Sequence, residues 1–403
     1  MALREYRYKA ELKYINGNNE INITTESINF ICIDSDYLGK KAFPIIYIGI
    51  NLKASIYNTM LENIKEDTVV LSMTKYTVDE DGGSTVESKF IKDEFIYFFN
   101  ETDPDYNQDL EKASSEGDID STSGYKRVKM GLLNLNILNL CKTMYNDIIS
   151  GKMSSILYYY LKDASSIIMQ KLDNNKEFDK LIIPPLPTLN KLLQYLNNIS
   201  SFYNTSYRFF IDLNKRAYLL SNNGDAVPAK DEMYSSIIVK VSSDIEDSTS
   251  KEPGIEIDSK NQCYNLYLDS SNTSTTINLY KDKEVSKIIT ISTNGIIKSS
   301  KLDTFKNSTG IRTNIYRTFN ENNKEIQNIA HLTTSGNVML NITKEGVDCS
   351  LITPNKSINV KNHKLYKEYD GKYILAGKQE IFVMNDMSNF TCNTILKMLK
   401  IKS

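Results

Sequence analysis

The sequence predicts a β-rich α+β chain in which an α-helical insert separates two β regions. Three observations predict this class. Alternating apolar and polar residues mark strands in the first hundred residues, helical periodicity takes over near residue 125, and strand patterns with regular turns return after residue 207. With 403 residues, 40% of them hydrophobic and 24% charged, the chain is long enough for two or three domains with separate cores.

The first region, residues 1–124, is predicted to be mainly β. Residues 5–14 alternate in polarity, and the following Asn16-Gly17-Asn18-Asn19 is a strong turn signal. Further strands are predicted at residues 20–24, 28–33, 43–52, 68–78 and 90–100, and a short helix at 55–63. Residues 100–124 contain eight Asp and Glu but one Lys, which indicates a surface loop.

The second region, residues 125–206, is predicted to be an α-helical insert. Apolar residues at helical spacing predict one long helix, marked by Leu132, Leu135, Leu138, Met144 and Ile148. Ser154 or Ser155 could cap a second helix, whose apolar positions run to residue 168.

Residues 181–221 are the most informative segment. Pro184, Pro185 and Pro187 cannot lie inside a helix, and they favour extended geometry in the residues before them. Thr188 then occupies an N-cap position. A short helix follows with one apolar face, formed by Leu189, Leu192, Leu193, Leu196 and Ile199. Strand alternation around a turn at 212–216 predicts a hairpin, and residues 207–241 are predicted to complete the first β region.

The last third of the chain is predicted to form a second β domain. Residues 242–258 are rich in Ser, Asp and Glu, which indicates a linker or an exposed loop. Residues 259–403 contain repeated turn signals such as Asn294-Gly295 and Asp370-Gly371. Their spacing favours a second barrel or sandwich.

These patterns resemble the central hub protein of phage tail baseplates, a family that includes phage-derived bacteriocins and the hub of type VI secretion spikes. The resemblance rests on residues 181–221 and on the strand–helix–strand layout at 44–76, with a fair match at 365–386. It implies two antiparallel, tube-protein-like β-barrel domains, with the α-helical insert interrupting the first. It also implies a homotrimer whose six barrels form a pseudo-sixfold ring between the sixfold tail tube and the threefold spike.

The resemblance further implies partners and a location. The partners would be a tail tube or distal tail protein, a spike protein and a tape measure protein. The location would be a virion tail, or a phage-tail-like particle, assembled in the host cytoplasm. The sequence start lacks a signal-peptide core and no apolar run is long enough to span a bilayer, so we expect neither export by its own signal nor stable membrane insertion.

Residues that could perform chemistry are sparse. His331 and His363 are the only histidines, and the five cysteines include no CxxC pair. Phosphate-binding and nucleophile motifs are absent from the sequence. We therefore expect no enzyme activity, no metal and no cofactor. Two other classes stay open: a β-rich cell-wall enzyme or carbohydrate-binding tail-tip module, and another baseplate or tail-tube component. A carbohydrate platform often uses Trp, which this chain lacks.

Charge is distributed unevenly along the chain. Residues 1–258 hold 28 Lys and Arg against 38 Asp and Glu, whereas residues 259–403 hold 20 against 12. This is either ordinary solubility charge or a polarity that docks different partners at two ends. The candidate interaction residues lie in the basic part: Lys281, Lys283, Lys298, Lys301, Lys306, Arg312 and Arg317. Interleaved Tyr and Phe could mimic a single-strand nucleic acid surface, but no nucleic-acid motif accompanies them, so protein docking is favoured.

Overall fold

The computed structural model describes most of the chain. The described residues are 5–24, 27–39, 41–78, 84–99, 124–205, 207–242, 254–269, 275–281, 289–291, 297–299, 338–345, 349–362, 367, 370–386 and 389–401. Of the two histidines, neither lies in these ranges.

Four helices and twenty-two strands are present in the described residues, which confirms the β-rich class. The helices are α1 (Ala54–Glu62), α2 (Leu135–Cys141), α3 (Met153–Tyr160) and α4 (Leu189–Ser200). The strands up to the central region are β1 (Glu5–Asn16), β2 (Asn19–Ile23), β3 (Ile28–Asp36), β4 (Ile45–Lys53), β5 (Thr68–Val78), β6 (Ser84–Phe99), β7 (Tyr125–Asn134), β8 (Tyr145–Lys152), β9 (Ser166–Met169) and β10 (Glu177–Leu186). The later strands are β11 (Tyr207–Ile211), β12 (Arg216–Ser221), β13 (Ser236–Ser242), β14 (Gly254–Asp258), β15 (Cys263–Asp269), β16 (Thr275–Lys281), β17 (Ile289–Ile291), β18 (Ile297–Ser299), β19 (Val338–Glu345), β20 (Ser357–Asn362), β21 (Gly371–Asp386) and β22 (Asn389–Lys400).

Eight strands close into a first barrel. The pairing runs β1–β5–β6–β7–β4–β3–β21–β22 and returns to β1 through Tyr8 opposite Phe390. Alternate residues of each strand point inward because side chains in a strand alternate between faces. Phe95, Phe382 and Phe390 are fully buried in this core. The first barrel is therefore completed by the C-terminal hairpin β21–β22, called the shared hairpin below.

The predicted completion of the first barrel by residues 207–241 is wrong. Strands β11 and β12 form a separate three-stranded sheet with β9, and β13 pairs with β15 and β20. One face of the β11–β12 hairpin packs in the central core through Phe209 and Leu219, whereas Phe210 and Tyr218 on the other face pack in the second core. Alternation predicted the hairpin itself, but it carries no information about which distant strand pairs with it.

Residues 135–221 form a central module with its own core. Leu189, Leu192, Leu193 and Leu196 are fully buried there, against the other helices and the hairpin. The apolar face predicted for this helix therefore packs within the central module and not onto the first barrel. The Thr188 hydroxyl accepts a hydrogen bond from the Lys191 backbone N–H at 3.3 Å, which confirms the predicted N-cap.

The predicted long helix from Leu132 to Ile148 is also wrong. Leu132 lies on β7, only residues 135–141 are helical, and Ile148 lies on β8. The spacing of Met130 and Leu132 fits a strand, whereas the spacing of Leu132 and Leu135 fits a helix. The sequence pattern is therefore ambiguous. The pairing of β7 with β4 and β6 places Leu132 in a strand. The region predicted as a helical insert is thus a mixed α/β module that starts after β7.

A second core lies beyond the central module. The strands around it follow the order β14–β15–β13–β20–β21, and the shared hairpin contributes Tyr373, Leu375, Leu396 and Met398. Strand β13 is parallel to both β15 and β20, so the expectation of an entirely antiparallel second domain is wrong. These strands are joined by long connections, and strand direction cannot be derived from alternation alone. The segment predicted as linker ends in strand β14, while residues 243–253 lie outside the described residues.

Within the described part of the chain, none of the helices has the length and apolar character needed to cross a membrane.

Candidate interaction surfaces

The shared hairpin changes character between the two cores. The half near its turn contributes Phe382 and Phe390 to the first barrel. The half near its open end contributes Tyr373 and Leu396 to the second core. Between them lies a polar layer. Lys378 and Glu380 are both buried, with their Nζ and Oε1 atoms 3.3 Å apart. The two cores are therefore continuous along the backbone but separated by an internal ion pair.

Electrostatics keep Lys378 protonated. Burial alone would lower the pKa of Lys378, but the carboxylate of Glu380 and the nearby Tyr37 hydroxyl outweigh it, so the pKa of Lys378 is raised. Ser35, opposite Lys378, and Thr394, opposite Glu380, are also buried. The layer consists of polar groups from three strands, which fixes the register of the hairpin against β3.

Arg208 links the central module to the second core. Its Nη1 donates to the Leu375 carbonyl at 2.9 Å and its Nη2 donates to the Pro354 carbonyl at 3.0 Å. The side chain is buried, and burial lowers its pKa to about 10. Two carbonyl groups from different segments thus share one guanidinium, an arrangement that suits the fork of Arg donors.

A chain of ion pairs reinforces the same junction. Arg216 Nε donates to Asp212 Oδ2 at 2.7 Å, and Arg216 Nη1 lies 3.6 Å from Glu232 Oε1. Glu232 also meets Lys356, whose Nζ is 3.3 Å from Oε2. Tyr218 donates to Asp212 at 3.1 Å. Burial and the Asp212 charge raise the pKa of Tyr218.

A cavity of about 100 Å³ opens where the first barrel, the central module and the second core meet. Its polar lining includes Asp212, Arg216, Lys378, Glu380 and the buried Thr353. Each of the four charged groups is paired with an opposite charge. No group of three or more metal-ligating side chains occurs among residues in the described ranges. The arrangement holds three parts of the chain in one orientation.

The sequence-predicted interaction residues are only partly covered by the structure. Lys281 ends strand β16 and Lys298 lies in β18, which pairs with β17. The predicted Asn294-Gly295 turn lies outside the described residues. The other five lie outside the described residues: Lys283, Lys301, Lys306, Arg312 and Arg317. The docking role of this basic stretch stays a prediction.

Sequence reasoning missed the junction residues. One signal was present: Arg208 stands inside YRFFI, where every other residue is aromatic or aliphatic. A charged side chain in such a strand either reaches solvent or is held by hydrogen bonds in the interior. The structure shows that Arg208 is buried and hydrogen-bonded. Asp212 had been assigned to the turn, and it does accept hydrogen bonds from the Asn214 and Arg216 backbone N–H groups.

Comparison with known proteins gives a family. A family model described as bacteriophage PBS1 gene 109 protein matches residues 2–400. A search of the curated proteins finds no match.

Solved structures with a similar arrangement include a tail protein from Neisseria meningitidis, with 12% identity, coverage of 98% of this chain and 96% of that one, and a TM-score of 0.46. A tail protein of prophage MuSo2 from Shewanella oneidensis has 11% identity, coverage of 96% and 97%, and a TM-score of 0.45. A component of the E. coli type VI secretion system has 7% identity, coverage of 94% and 74%, and a TM-score of 0.42. The resemblance noted in the sequence is confirmed at the level of the phage family.

Proposed function

Because the chain belongs to the family of bacteriophage PBS1 gene 109 proteins, we propose that it is a structural hub of a phage tail baseplate. In this proposal three copies form a ring of six barrels, with pseudo-sixfold symmetry, between the tail tube and the spike. The second barrel of each copy is built around the second core. The role is architectural, and the protein works in the virion tail after assembly in the host cytoplasm.

The observation that supports the proposal most directly is the shared hairpin. A symmetry adaptor must hold two barrels at a fixed angle, because any change of angle would open the ring. A hairpin that crosses from one core to the other, with a paired Lys378–Glu380 layer between them, joins two such bodies without a flexible linker. Arg208 and the Arg216–Glu232 pair brace the neighbouring junction between the central module and the second core.

The proposed partners follow from the ring. One side would bind a tail tube or distal tail protein, the other would bind a spike protein, and a tape measure protein would contact the central channel. The basic stretch from Lys281 to Arg317 is proposed to dock one of these proteins.

Sedimentation of the purified full chain, alone and mixed with the tube and spike proteins of the same phage, tests the proposal. We expect a mass of three copies, either alone or in the mixture, and a single stable ternary complex. A chain that stays monomeric in the presence of both partners would contradict the hub role. Hydrolysis of purified cell-wall material by the chain would favour the enzyme alternative.

A further inference from the structure

One wall of the first barrel carries a cluster of apolar residues on its outside. Antiparallel strands with one solvated face normally alternate between apolar and polar residues. Strands β3, β4 and β21 and the end of β6 instead contain apolar runs, such as IIYIGI in β4 and FIYFF in β6. Their inward residues fill the first core. The outward residues therefore need another explanation.

Strand pairing places these outward residues side by side. The outer apolar face is defined here by Phe30, Ile45, Tyr47, Phe98, Ile381 and Val383. Phe98 lies opposite Gly131, which lies opposite Tyr47, and Val383 lies opposite Phe30. None of the six belongs to a buried cluster, or packs against one, among the described residues.

The close fit of Phe98 on Gly131 keeps this face smooth. A Cβ atom added at Gly131 would come within 2.2 Å of the Phe98 ring, so glycine is what lets the ring lie on the strand. Val383 is 39% exposed, and the other five residues are partly exposed.

The opposite wall of the same barrel is polar. Its outward positions include Lys9 and Glu11 on β1, together with Ser72 and Thr74 on β5. The contrast shows that apolar outer residues are not a general property of these strands. On β1 and β5 the outward apolar residues Ile15 and Val70 stand among polar ones, whereas on the wall formed by β6, β7, β4, β3 and β21 they occupy neighbouring positions.

The dimensions of the face suit a stable protein contact. Five neighbouring strands span ~19 Å across, and three outward positions span ~14 Å along a strand. These dimensions give ~270 Å², about a third of the ~800 Å² that each partner buries in a standard stable complex, so the face can supply the apolar centre of such an interface and surrounding polar residues must supply the rest.

We infer that the outer apolar face is where one copy of this chain packs against a second copy, which rests on the proposed trimer. The middle row of this face, from Ile381 to Phe98, carries no charge, whereas the charged Lys129 and Asp34 lie in the rows on either side of it. An uncharged centre with charged residues around it is the usual composition of a protein interface. Covering the apolar centre lowers the risk of aggregation, and a second copy is a partner always made with the first. In a threefold ring this face meets a different surface of the next copy.

Cys32 provides a native probe of this face. It lies opposite both Tyr47 and Ile381 on the outer side of β3, and it is partly exposed, whereas the other four cysteines are buried. We propose maleimide labelling of the full chain over a range of protein concentrations. Peptide mass spectrometry would measure the labelling of each cysteine, and sedimentation would measure the oligomeric state. The buried cysteines serve as internal references.

The expected result is that labelling of Cys32 slows by at least about tenfold as the trimer forms, because an interface core excludes solvent. Val383→Glu should weaken association by at least about tenfold, since it buries a charge. Thr74→Glu, on the polar wall, should associate like wild type. Because both sites reach solvent, both variants should melt at the wild-type temperature under monomeric conditions.

Several outcomes would overturn the inference while leaving the hub role standing. One is a trimer in which Cys32 labels at the monomer rate and Val383→Glu assembles normally. Another is slow labelling of Cys32 at every protein concentration. The residues that cover the outer apolar face would then belong to the same chain. Protection that needs a tube or spike protein would assign the face to that partner. A chain that never trimerises, even with both partners, would instead defeat the hub proposal itself.

Discussion

The Lys378–Glu380 ion pair offers a quantitative test of how the two cores are joined. Its charged atoms are 3.3 Å apart, and each side chain is 10% exposed. At that distance, with an effective dielectric constant of about 20, Coulomb's law gives an attraction of roughly 5 kcal/mol. Removing both charges from water costs a comparable amount, so the complete pair adds little net stability while either partner alone is costly.

A characteristic pattern follows for three variants. Glu380→Leu leaves a buried Lys378 without its partner, and should lower the free energy of unfolding by about 3–5 kcal/mol. Lys378→Met should cost a similar amount for the same reason. The double variant removes both charges and keeps most of the volume, so its stability should lie within about 1 kcal/mol of wild type or above it.

Equilibrium urea denaturation of the four proteins gives the coupling energy as a double-mutant cycle. The Lys13–Glu20 pair is a matched control, because its atoms are 3.2 Å apart but its side chains are 42% and 60% exposed. Exposed pairs contribute about 0.2–1 kcal/mol, so Glu20→Gln should have a small effect. If Glu380→Leu cost no more than Glu20→Gln, the junction would be solvated and the reasoning refuted.

Two further predictions concern the central module and the basic stretch. Leu193→Asp puts a charge into the central core and should lower the free energy of unfolding by several kcal/mol in urea denaturation, whereas Ile199→Asp, at a 36% exposed position of the same helix, should be tolerated. Equal stability of the two variants would show that the helix is not anchored by Leu193. Charge reversal at Lys298, Lys301 and Lys306 should weaken co-purification of a tube or spike protein at low salt and have little effect at high salt. Unchanged binding at both salts, or tight DNA binding by wild type, would argue against a docking role.

Local signals in the sequence predicted local structure well. The proline-rich stretch, the Thr188 cap and the hairpin after it all follow from residues within a few positions of one another. By contrast, Tyr8 pairs with Phe390 across almost the whole chain. Propensity and alternation describe a strand's faces, but they do not select its neighbour, so the assignment of barrel strands to residues 207–241 was wrong.

The candidate surfaces were only partly predictable. Arg208 inside an aromatic strand marked an anchor, yet its acceptors are carbonyl groups of Leu375 and Pro354, which no sequence pattern identifies. The apolar runs in β4 and β6 could have indicated strands covered on both faces. The apolar runs alone do not locate a surface, because the strand register is needed to show which outward residues are neighbours. Phe98 and Tyr47, for example, lie on either side of Gly131.

The shared hairpin also sets the order in which this protein can mature. During synthesis, strands β1 to β7 leave the ribosome long before Phe382 and Phe390 exist, so the first barrel waits with an open edge between β1 and β3. We expect closure to be a late, slow event, because the contacts that complete it join distant parts of the chain. A product truncated before β21 would lack part of both cores and expose unpaired strand edges, which mark it for aggregation or degradation. In the proposed hub role, only finished chains would then be available for assembly of a tail.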